Sequence, residues 1–407
     1  MSRRLEVLLH GQTIGYLTEQ SDLGTELRFL SEYLRMAARP VLGQKFEDDL
    51  ERAYRSRKGK RLPDFFANLI PEGRLREVIQ ATAELEVDDD LGLLAHVGQD
   101  LPGAVVIRPR NGEWTPSGEE PEEDTRRDSE TTESLRFSLA GVQLKFSMLR
   151  GSEKLTLPGR NRHGEWIVKF DSPTYPNLPE NELSILEWAR QAGFDVPECH
   201  LHPAEDVEGF PRRFASEGTR VLAVRRYDRS PAGRVHQEDL AQAVGLPPEM
   251  KYDHVTCEAM ARLVRNFIGE DGVDELVRRI VLVIAAGNND AHLKNWSLIY
   301  PDTIQGRWSP VYDQVATIAW KGPSRELSLK LAGVKRFDRI DHAAFDRFAS
   351  KSGLDPARVR QLVDGTIDRL HRAWKEIAAD LPMPGEHFAA LQEHWRSVPL
   401  LRNSGLS

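Results

Sequence analysis

The chain has 407 residues, of which 40% are hydrophobic and 29% charged, a composition ordinary for a folded protein with two or three packed units. Its formal net charge of −8 argues against a protein that coats nucleic acid by bulk charge, although a local basic face is compatible with it. Cys199 and Cys257 are too few for a disulfide framework or a four-cysteine zinc site. The apolar segment 280–286 is too short to span a membrane and the first residues do not resemble a signal peptide, so we predict a cytoplasmic protein.

Residues 1–110 predict one small α+β unit. Two short apolar runs at residues 5–17 flank a turn that contains glycine, which predicts a β-hairpin. A short helix is expected to stop at Pro71, with the next helix beginning near Glu72, and a helix, a turn and a buried strand complete the unit. No group of side chains in this unit has the pattern of a catalytic site.

Residues 111–134 differ in composition from the segments on either side. Acidic residues cluster between Glu119 and Asp124, and a Ser/Thr-rich stretch follows them. Low apolar content and repulsion between like charges favour a solvated linker. We therefore predict a boundary here, with residues 135–235 completing an N-terminal lobe and residues 236–407 forming a helical C-terminal lobe.

Two segments after the linker carry groups suited to binding phosphate. Residues 137–149 contain a glycine turn entering a strand, but one glycine without a complete phosphate-loop pattern is not specific, and Ser138 taken alone is typical of a turn. Lys169 lies in an apolar strand, either on its solvent face or buried with an acidic or phosphate partner. Glu182, near the start of a predicted helix at residues 178–193, is placed to reach Lys169, as in the ion pair that orders kinase active sites.

The remaining elements predict two lobes. Two further apolar strands lead to a predicted hinge at residues 224–227, whose backbone groups could bind an adenine edge. From His236 onward the pattern is mostly helical. Strands first and helices later predict an α+β, two-lobed protein-kinase-like fold, with ATP in the cleft between the lobes. The expected helices lie at residues 238–244, 256–268, 273–286, 341–352 and 356–381.

The residues best suited to catalysis lie between Gly287 and Asp313. Asp290 and Asn295 are five positions apart (295 − 290), the spacing of the base and the metal-binding Asn in the protein-kinase catalytic loop. Asp313 follows a segment that predicts a β-hairpin. At this spacing an Asp can accept a hydroxyl proton while an Asn binds Mg²⁺, and we predict phosphoryl transfer.

Motifs along nearly the whole chain resemble those of the HipA family, the bacterial Ser/Thr kinase toxins of type II toxin–antitoxin systems. The segment 138–145 has the family's S-x-x-G-x-Q-x-K pattern. Each motif alone is modest evidence, and their occurrence in the same order makes the resemblance specific. The other matching segments are 65–71, 103–105, 223–229, 237–239, 245–247 with 251–252, 289–295 and 312–313.

The resemblance implies a role for each residue of the site. Asp290 would be the catalytic base, Asn295 and Asp313 would hold Mg²⁺, and His292 would order or neutralise the transferred phosphate. The implied nucleotide-binding residues are Lys169 with Glu182, Gly141, Val142, Gln143 and Lys145 of the phosphate loop, Arg225 and Tyr227 of the hinge, and His292 and Asp313.

Ser138 matches the serine that HipA kinases autophosphorylate. The modified loop is expected to leave its position over the nucleotide, because a dianionic phosphate cannot share the site of the ATP phosphates. The chain lacks a Gly-rich loop and the HRD and DFG triplets of ordinary protein kinases. Arg225 stands where HipA proteins have Glu, so adenine contacts are expected from the hinge backbone.

The implied activity is that of an ATP- and Mg²⁺-dependent Ser/Thr protein kinase restrained by a HipB-like DNA-binding antitoxin. The kinase itself would contact DNA only through that antitoxin. Aminoacyl-tRNA synthetases are the implied class of protein substrate. Two alternatives stay open: a catalytically silent kinase-like scaffold that acts with its antitoxin on operator DNA, and a small-molecule kinase. The presence of Lys169, Asp290, Asn295 and Asp313 favours an enzyme.

Overall fold

The computed structural model describes residues 2–110, 145–150, 154–156, 164–208, 220–252, 254–402 and 405–406. The predicted linker lies outside these ranges, as do Ser138, Gly141, Val142 and Gln143. Lys145 is the first residue of a strand. Within the described ranges, no helix combines the length and the apolar character needed to cross a membrane.

The N-terminal unit is built on a five-stranded antiparallel sheet. The predicted hairpin forms its centre, with a two-residue turn in which His10 and Gly11 both have positive φ, as the twist of a tight hairpin requires. The strands are β1 (Arg4–Leu9), β2 (Gln12–Glu19), β3 (Thr25–Phe29), β4 (Tyr54–Arg55) and β5 (Val105–Pro109), in the order β4-β3-β2-β1-β5.

Short helices cover this sheet. The predicted break at Pro71 is present, because one helix ends at Ala67 and the next begins at Gly73, directly after Glu72. The helices are α1 (Ser31–Leu34), α2 (Gln44–Glu47), α3 (Asp64–Ala67), α4 (Gly73–Thr82) and α5 (Asp90–Val97).

A second sheet carries the predicted lysine strand. Its strands are β6 (Lys145–Arg150), β7 (Leu155–Thr156), β8 (Trp166–Phe170), β9 (Cys199–Pro203), β10 (Val207–Glu208) and β11 (Arg220–Arg225), in the order β10-β7-β6-β8-β11-β9. Helix α6 (Leu178–Gln191) begins with a proline in its first turn. Apolar side chains of both sheets, such as Leu5 and Ile107 from the first and Phe146 and Val168 from the second, belong to one buried cluster. The N-terminal unit therefore packs directly on the sheet that carries Lys169.

The C-terminal lobe is mainly helical, and it also contains strands that the sequence pattern did not predict. The helices are α7 (Leu240–Val244), α8 (Cys257–Phe267), α9 (Glu270–Ala286), α10 (His342–Ser352), α11 (Pro356–Ile377) and α12 (Gly385–Ser397). The strands from the hinge onward are β12 (Arg229–Ser230), β13 (Gly233–Arg234), β14 (His236–Asp239), β15 (Ser297–Tyr300), β16 (Arg307–Trp308), β17 (Glu326–Leu331) and β18 (Val334–Arg336).

The helix expected at residues 238–244 was wrong at its start. Residues 236–239 form β14. This strand pairs with β15, the first strand of the predicted hairpin β15–β16. Helix α7 begins after Asp239 because the side chain of Asp239 caps it, accepting a hydrogen bond from the backbone N–H of Gln242 at 2.8 Å. Strand pairing with a segment about 60 residues away, which the local pattern cannot reveal, therefore decides the conformation of residues 236–239.

Candidate active site

A cleft of about 780 Å³ is lined by the predicted site residues whose side chains the structure describes. The N-terminal unit, the second sheet, the hinge and the loops of the C-terminal lobe all contribute to its walls. The structure thus brings together side chains that are far apart in the sequence. The predicted residues that line the cleft are Lys169, Glu182, Arg225, Tyr227, Asp290, His292, Asn295 and Asp313.

Lys169 is buried, with 4% of its surface exposed, so the solvent-face alternative was wrong. Alternation along β8 places Ile167 and Lys169 on the same face of the sheet, toward the cleft. The Lys169 Nζ lies 2.5 Å from the Glu182 carboxylate and also donates to Asp313. Burial disfavours the ammonium, but Asp313 and Glu182 outweigh it and raise the pKa of Lys169. The predicted Lys169–Glu182 ion pair is therefore present, and it holds a charged lysine against Asp313.

The loop after α9 positions Asp290 and Asn295. Helix α9 ends at Ala286 and is followed by Gly287, which has a φ of +63°. A Cβ atom at Gly287 would lie only 2.4 Å from Ile318, so glycine is required at this position. The Asp290 backbone N–H donates to the side chain of Asn288 at 2.9 Å. Nδ2 of Asn295 donates to the Asp290 carbonyl oxygen at 3.1 Å, which closes the loop. Asp290 is exposed in the cleft, as a base that meets a substrate hydroxyl must be.

Asp313 adopts a left-handed backbone conformation, with a φ of +51°. Such a φ is uncommon for residues other than glycine, and strained conformations of this kind concentrate at functional sites. The Asn288 side chain donates to the Asp313 carbonyl oxygen at 3.3 Å, which ties Asp313 to the start of the loop that carries Asp290 and Asn295. Two segments that each carry a predicted metal-binding residue are thereby joined.

Asp313 and Asn295 suit a magnesium ion by their chemistry. Mg²⁺ prefers oxygen ligands and is commonly held by one or two protein groups together with substrate phosphates. Because Nδ2 of Asn295 is used within the loop, its amide oxygen is the atom suited to bind a cation. Among the residues that the structure describes, no group of three or more His, Cys, Asp or Glu side chains is placed to hold a metal ion.

His292 is a buried residue in the wall of the cleft, with 7% of its surface exposed. Its ring contacts the edge of Tyr252, with 5.0 Å between the ring centroids, and its Nδ1 has no hydrogen-bond partner within the described part of the chain. Burial, with Lys251 and Lys294 nearby, lowers the pKa of His292 to about 3. The imidazole is therefore neutral at physiological pH. A neutral imidazole can order a phosphate oxygen by a hydrogen bond, one of the two roles expected for His292.

The hinge contains a buried arginine, Arg226, for which the sequence predicted no role. Arg225 is exposed, and its side chain lies 3.4 Å from Glu198. Arg226 is buried and makes ion pairs with Asp228 at 2.9 Å and with Asp100 of the N-terminal unit at 2.8 Å. Tyr227 donates its hydroxyl to Gln237. The hinge is thus attached to the N-terminal unit by buried charges that hydrophobic patterning does not predict.

Glu72 of the N-terminal unit also reaches the site, although that unit showed no catalytic pattern in the sequence. Its carboxylate accepts a hydrogen bond from Lys251 at 2.9 Å and another from Lys294. Burial opposes ionisation, but Lys294 and Lys251 outweigh it and lower the pKa of Glu72 to about 2. Glu72 is 179 and 222 positions from its two partners, so only the neighbouring motifs 65–71 and 251–252 hinted at a role for this region.

Two family models match the chain, one for each part of a HipA protein. The family model described as HipA N-terminal domain matches residues 5–108, and the HipA-like C-terminal domain matches residues 137–374. The chain belongs to the HipA family. Two Sinorhizobium fredii proteins are similar to this HipA-family chain: "Putative kinase Y4dM" is 34% identical over 403 residues, covering 98% of each chain, and "Putative kinase Y4mE" is 28% identical over 344 residues, covering 78% of this chain and 79% of the relative.

A solved structure supports the fold. HipA from Shewanella oneidensis MR-1, in a complex with HipB and its operator DNA, matches with a TM-score of 0.75 over 98% of this chain and 96% of the solved chain. The two sequences are 18% identical, so this match bears on the fold alone. It confirms the predicted two-lobed architecture. The HipA family and the names of the relatives together support a kinase.

Proposed function

We propose that this HipA-family protein is an ATP- and Mg²⁺-dependent Ser/Thr protein kinase that acts as the toxin of a toxin–antitoxin pair. The observation that carries the proposal is the meeting of five side chains in one cleft: a charged lysine, its helix carboxylate, a loop carboxylate, an amide five positions later and a second carboxylate. These are the groups with which kinases position a nucleotide and accept a hydroxyl proton. They are Lys169, Glu182, Asp290, Asn295 and Asp313.

On the nucleotide side, Lys169 would bind phosphate oxygens, and its pairing with Glu182 keeps it charged and oriented. Asp313 and Asn295 would hold the metal. Mg²⁺-ATP, when bound, supplies the transferable phosphoryl group and disperses the charge that develops on it. Because one lysine faces two carboxylates here, the cluster carries an excess negative charge that suits an arriving cation.

On the acceptor side, Asp290 would take the proton of a substrate hydroxyl while the hydroxyl oxygen attacks the phosphoryl group. The Asp290 backbone N–H donates to the Asn288 side chain, and the Asn295 side chain donates to the Asp290 carbonyl oxygen. These two hydrogen bonds fix the backbone of the loop, so that the carboxylate enters the cleft from a rigid support. Neutral His292 could order a phosphate oxygen by a hydrogen bond. The open position of Asp290 suits a protein substrate whose hydroxyl approaches from solvent.

The family and its known assembly support the partners in this proposal. The Shewanella oneidensis protein is solved with HipB and operator DNA, which supports a HipB-like antitoxin for this chain. A net charge of −8 does not favour direct binding to DNA, so we propose that the protein contacts DNA only through such a partner. Aminoacyl-tRNA synthetases remain the proposed class of target in the cytoplasm, and Ser138 the proposed site of autophosphorylation.

Incubation of the purified protein with γ-labelled ATP and Mg²⁺, followed by mass spectrometry, tests the activity. We expect phosphate on Ser138 of the wild type and none in Asp290→Asn, which should keep the fold and lose at least about a hundredfold in rate because the base is removed. Ser138→Ala should also stay unlabelled while retaining nucleotide binding. A wild-type protein that binds ATP but labels neither Ser138 nor any protein of a bacterial lysate would contradict the kinase.

The same experiment distinguishes the alternatives. A small-molecule kinase would consume ATP in a metabolite extract and leave proteins unlabelled, and a silent scaffold would consume none. Phosphosite mapping after brief expression, compared with expression of Asp290→Asn, would identify the protein target.

A further inference from the structure

The carboxylate of Asp290 is in contact with Tyr252, a residue for which the sequence predicted no role. The Tyr252 hydroxyl donates a hydrogen bond to Asp290 Oδ1 at 2.7 Å. Tyr252 is 39% exposed and lines the same cleft. A hydroxyl bound to the carboxylate that would accept the substrate proton affects where that carboxylate points. The contact therefore bears on the chemical step, and this inference rests on the function proposed above.

Tyr252 is held against the catalytic loop by contacts other than this hydrogen bond. The Leu293 backbone N–H donates to the Lys251 carbonyl oxygen at 3.1 Å, so the chain on either side of the contact is tied together. The Tyr252 ring meets the ring of His292 edge to face, at 5.0 Å between centroids. The Lys251 ammonium lies 5.6 Å from the Tyr252 ring and is itself bonded to Glu72. These contacts hold the Tyr252 phenol in place beside Asp290.

We propose that Tyr252 is a positioning residue that holds the Asp290 carboxylate in the orientation needed to accept the substrate proton. An Asp side chain has two rotatable bonds, and an exposed carboxylate samples several rotamers unless a partner restrains it. A hydrogen bond from a neutral donor to an ionised carboxylate is short and directional, so it selects one of them. Burial and Asp290 raise the pKa of Tyr252, so its hydroxyl stays a donor throughout the physiological range.

Tyr252→Phe is the test, because it removes the hydroxyl and keeps the ring that packs on His292. We expect kcat for phosphoryl transfer to fall on the order of tenfold, since a misplaced base costs rate without affecting ground-state binding. The KM for ATP, the dissociation constant of the nucleotide and the unfolding midpoint should stay at wild-type values. Tyr16→Phe makes the same chemical change in β2 of the N-terminal sheet, at a residue that does not line the cleft, and should leave all four quantities unchanged.

A double-mutant cycle separates positioning from a general structural role. In the Asp290→Asn background, Tyr252→Phe should lower the residual rate by less than twofold, because no base remains to be positioned. An unchanged kcat in Tyr252→Phe would overturn the inference, as would a tenfold loss that persists in the Asp290→Asn background. A loss of rate accompanied by equal losses of nucleotide affinity and unfolding midpoint would also overturn it. An inactive wild type would instead overturn the proposed function, so the two failures are distinguishable.

Discussion

Two ion clusters of opposite composition flank the cleft. In the first, Lys169 lies between the carboxylates of Glu182 and Asp313. In the second, Glu72 lies between the ammonium groups of Lys251 and Lys294. The first cluster carries one excess negative charge and belongs to the nucleotide side, whereas the second carries one excess positive charge and supports the loop of the proposed base. If the proposed roles hold, we expect nucleotide binding and base positioning to depend on separate electrostatic supports.

The clusters also differ in how they are built. The first joins a strand and the next helix with the loop after a later hairpin. The second joins the N-terminal unit, through Glu72, to the segment before α8 and to the loop that carries Asp290. A change in the first cluster should therefore affect mainly nucleotide affinity, and a change in the second should affect mainly the rate of transfer. Three substitutions test this separation, and a fourth, in the hinge, tests the adenine contact.

Lys169→Met should have the largest effect. It removes the cation from between two carboxylates, of which Glu182 is 1% exposed, and an uncompensated buried charge costs about 3 kcal/mol of unfolding free energy. We expect ATP affinity to fall by at least about tenfold. Calorimetric titration and chemical denaturation measure the two effects. Lys330→Met on the exposed face of β17 is the control and should change neither quantity.

Asp313→Asn should weaken nucleotide binding only when Mg²⁺ is present. The amide keeps the size of the side chain but loses the charge that attracts the metal, so we expect ATP affinity in Mg²⁺ to fall about tenfold. In EDTA the affinity should match that of the wild type or exceed it, because one negative charge near the phosphates is removed. Equal ATP affinity of variant and wild type in Mg²⁺ would count against the metal role of Asp313.

Glu72→Gln should lower kcat severalfold and leave ATP affinity unchanged, because it weakens the support of the catalytic loop. We expect a loss of about 2 kcal/mol of unfolding free energy at pH 7. Since the folded-state pKa of Glu72 is lowered to about 2, its stabilisation is present above the unfolded value near 4.5 and is lost as the pH falls through about 2. The difference in stability between wild type and variant should therefore shrink in that acidic window.

Denaturation curves at pH 7 and at pH 3 measure this change. Glu77→Gln makes the same substitution on the exposed face of α4, the helix that directly follows Glu72, and should match the wild type at both pH values. A Glu72→Gln variant that loses ATP affinity and retains kcat would contradict the separation of the two clusters.

Arg225→Ala should have the smallest effect. Its side chain is exposed and lies 3.4 Å from Glu198, and exposed ion pairs of this kind contribute little. If the hinge binds adenine through its backbone, ATP affinity should change by less than about twofold. A tenfold loss would instead assign the adenine contact to the Arg225 side chain.

Much of the fold was readable from local patterns. The hairpin of β1 and β2, the strand of Lys169, helix α6 and the hairpin of β15 and β16 all follow from apolar alternation, turn residues or helix-start signals. The pattern did not reveal β14, the pair β17–β18 or helix α12. Strand β14 forms because it pairs with β15 about 60 residues later. Residues 236–239 are all polar, and their local pattern does not indicate this pairing.

The sequence by itself determined which residues could perform the proposed chemistry. The spacing of Asp290 and Asn295, a lysine in an apolar strand and an acid at the start of the next helix are local features, and each has a local physical reason. The motif order was enough to place the chain in the HipA family, which the family models then confirmed.

Only the tertiary structure decided how those residues are supported. The contacts of Glu72 with Lys251 and Lys294, of Arg226 with Asp100, and of Tyr252 with Asp290 join positions from 38 to 222 residues apart. Such pairs form because burial makes an unpaired charge or hydroxyl costly, and the packing of the units determines which partner is within reach. That choice depends on three-dimensional distance, which residue spacing along one chain does not contain.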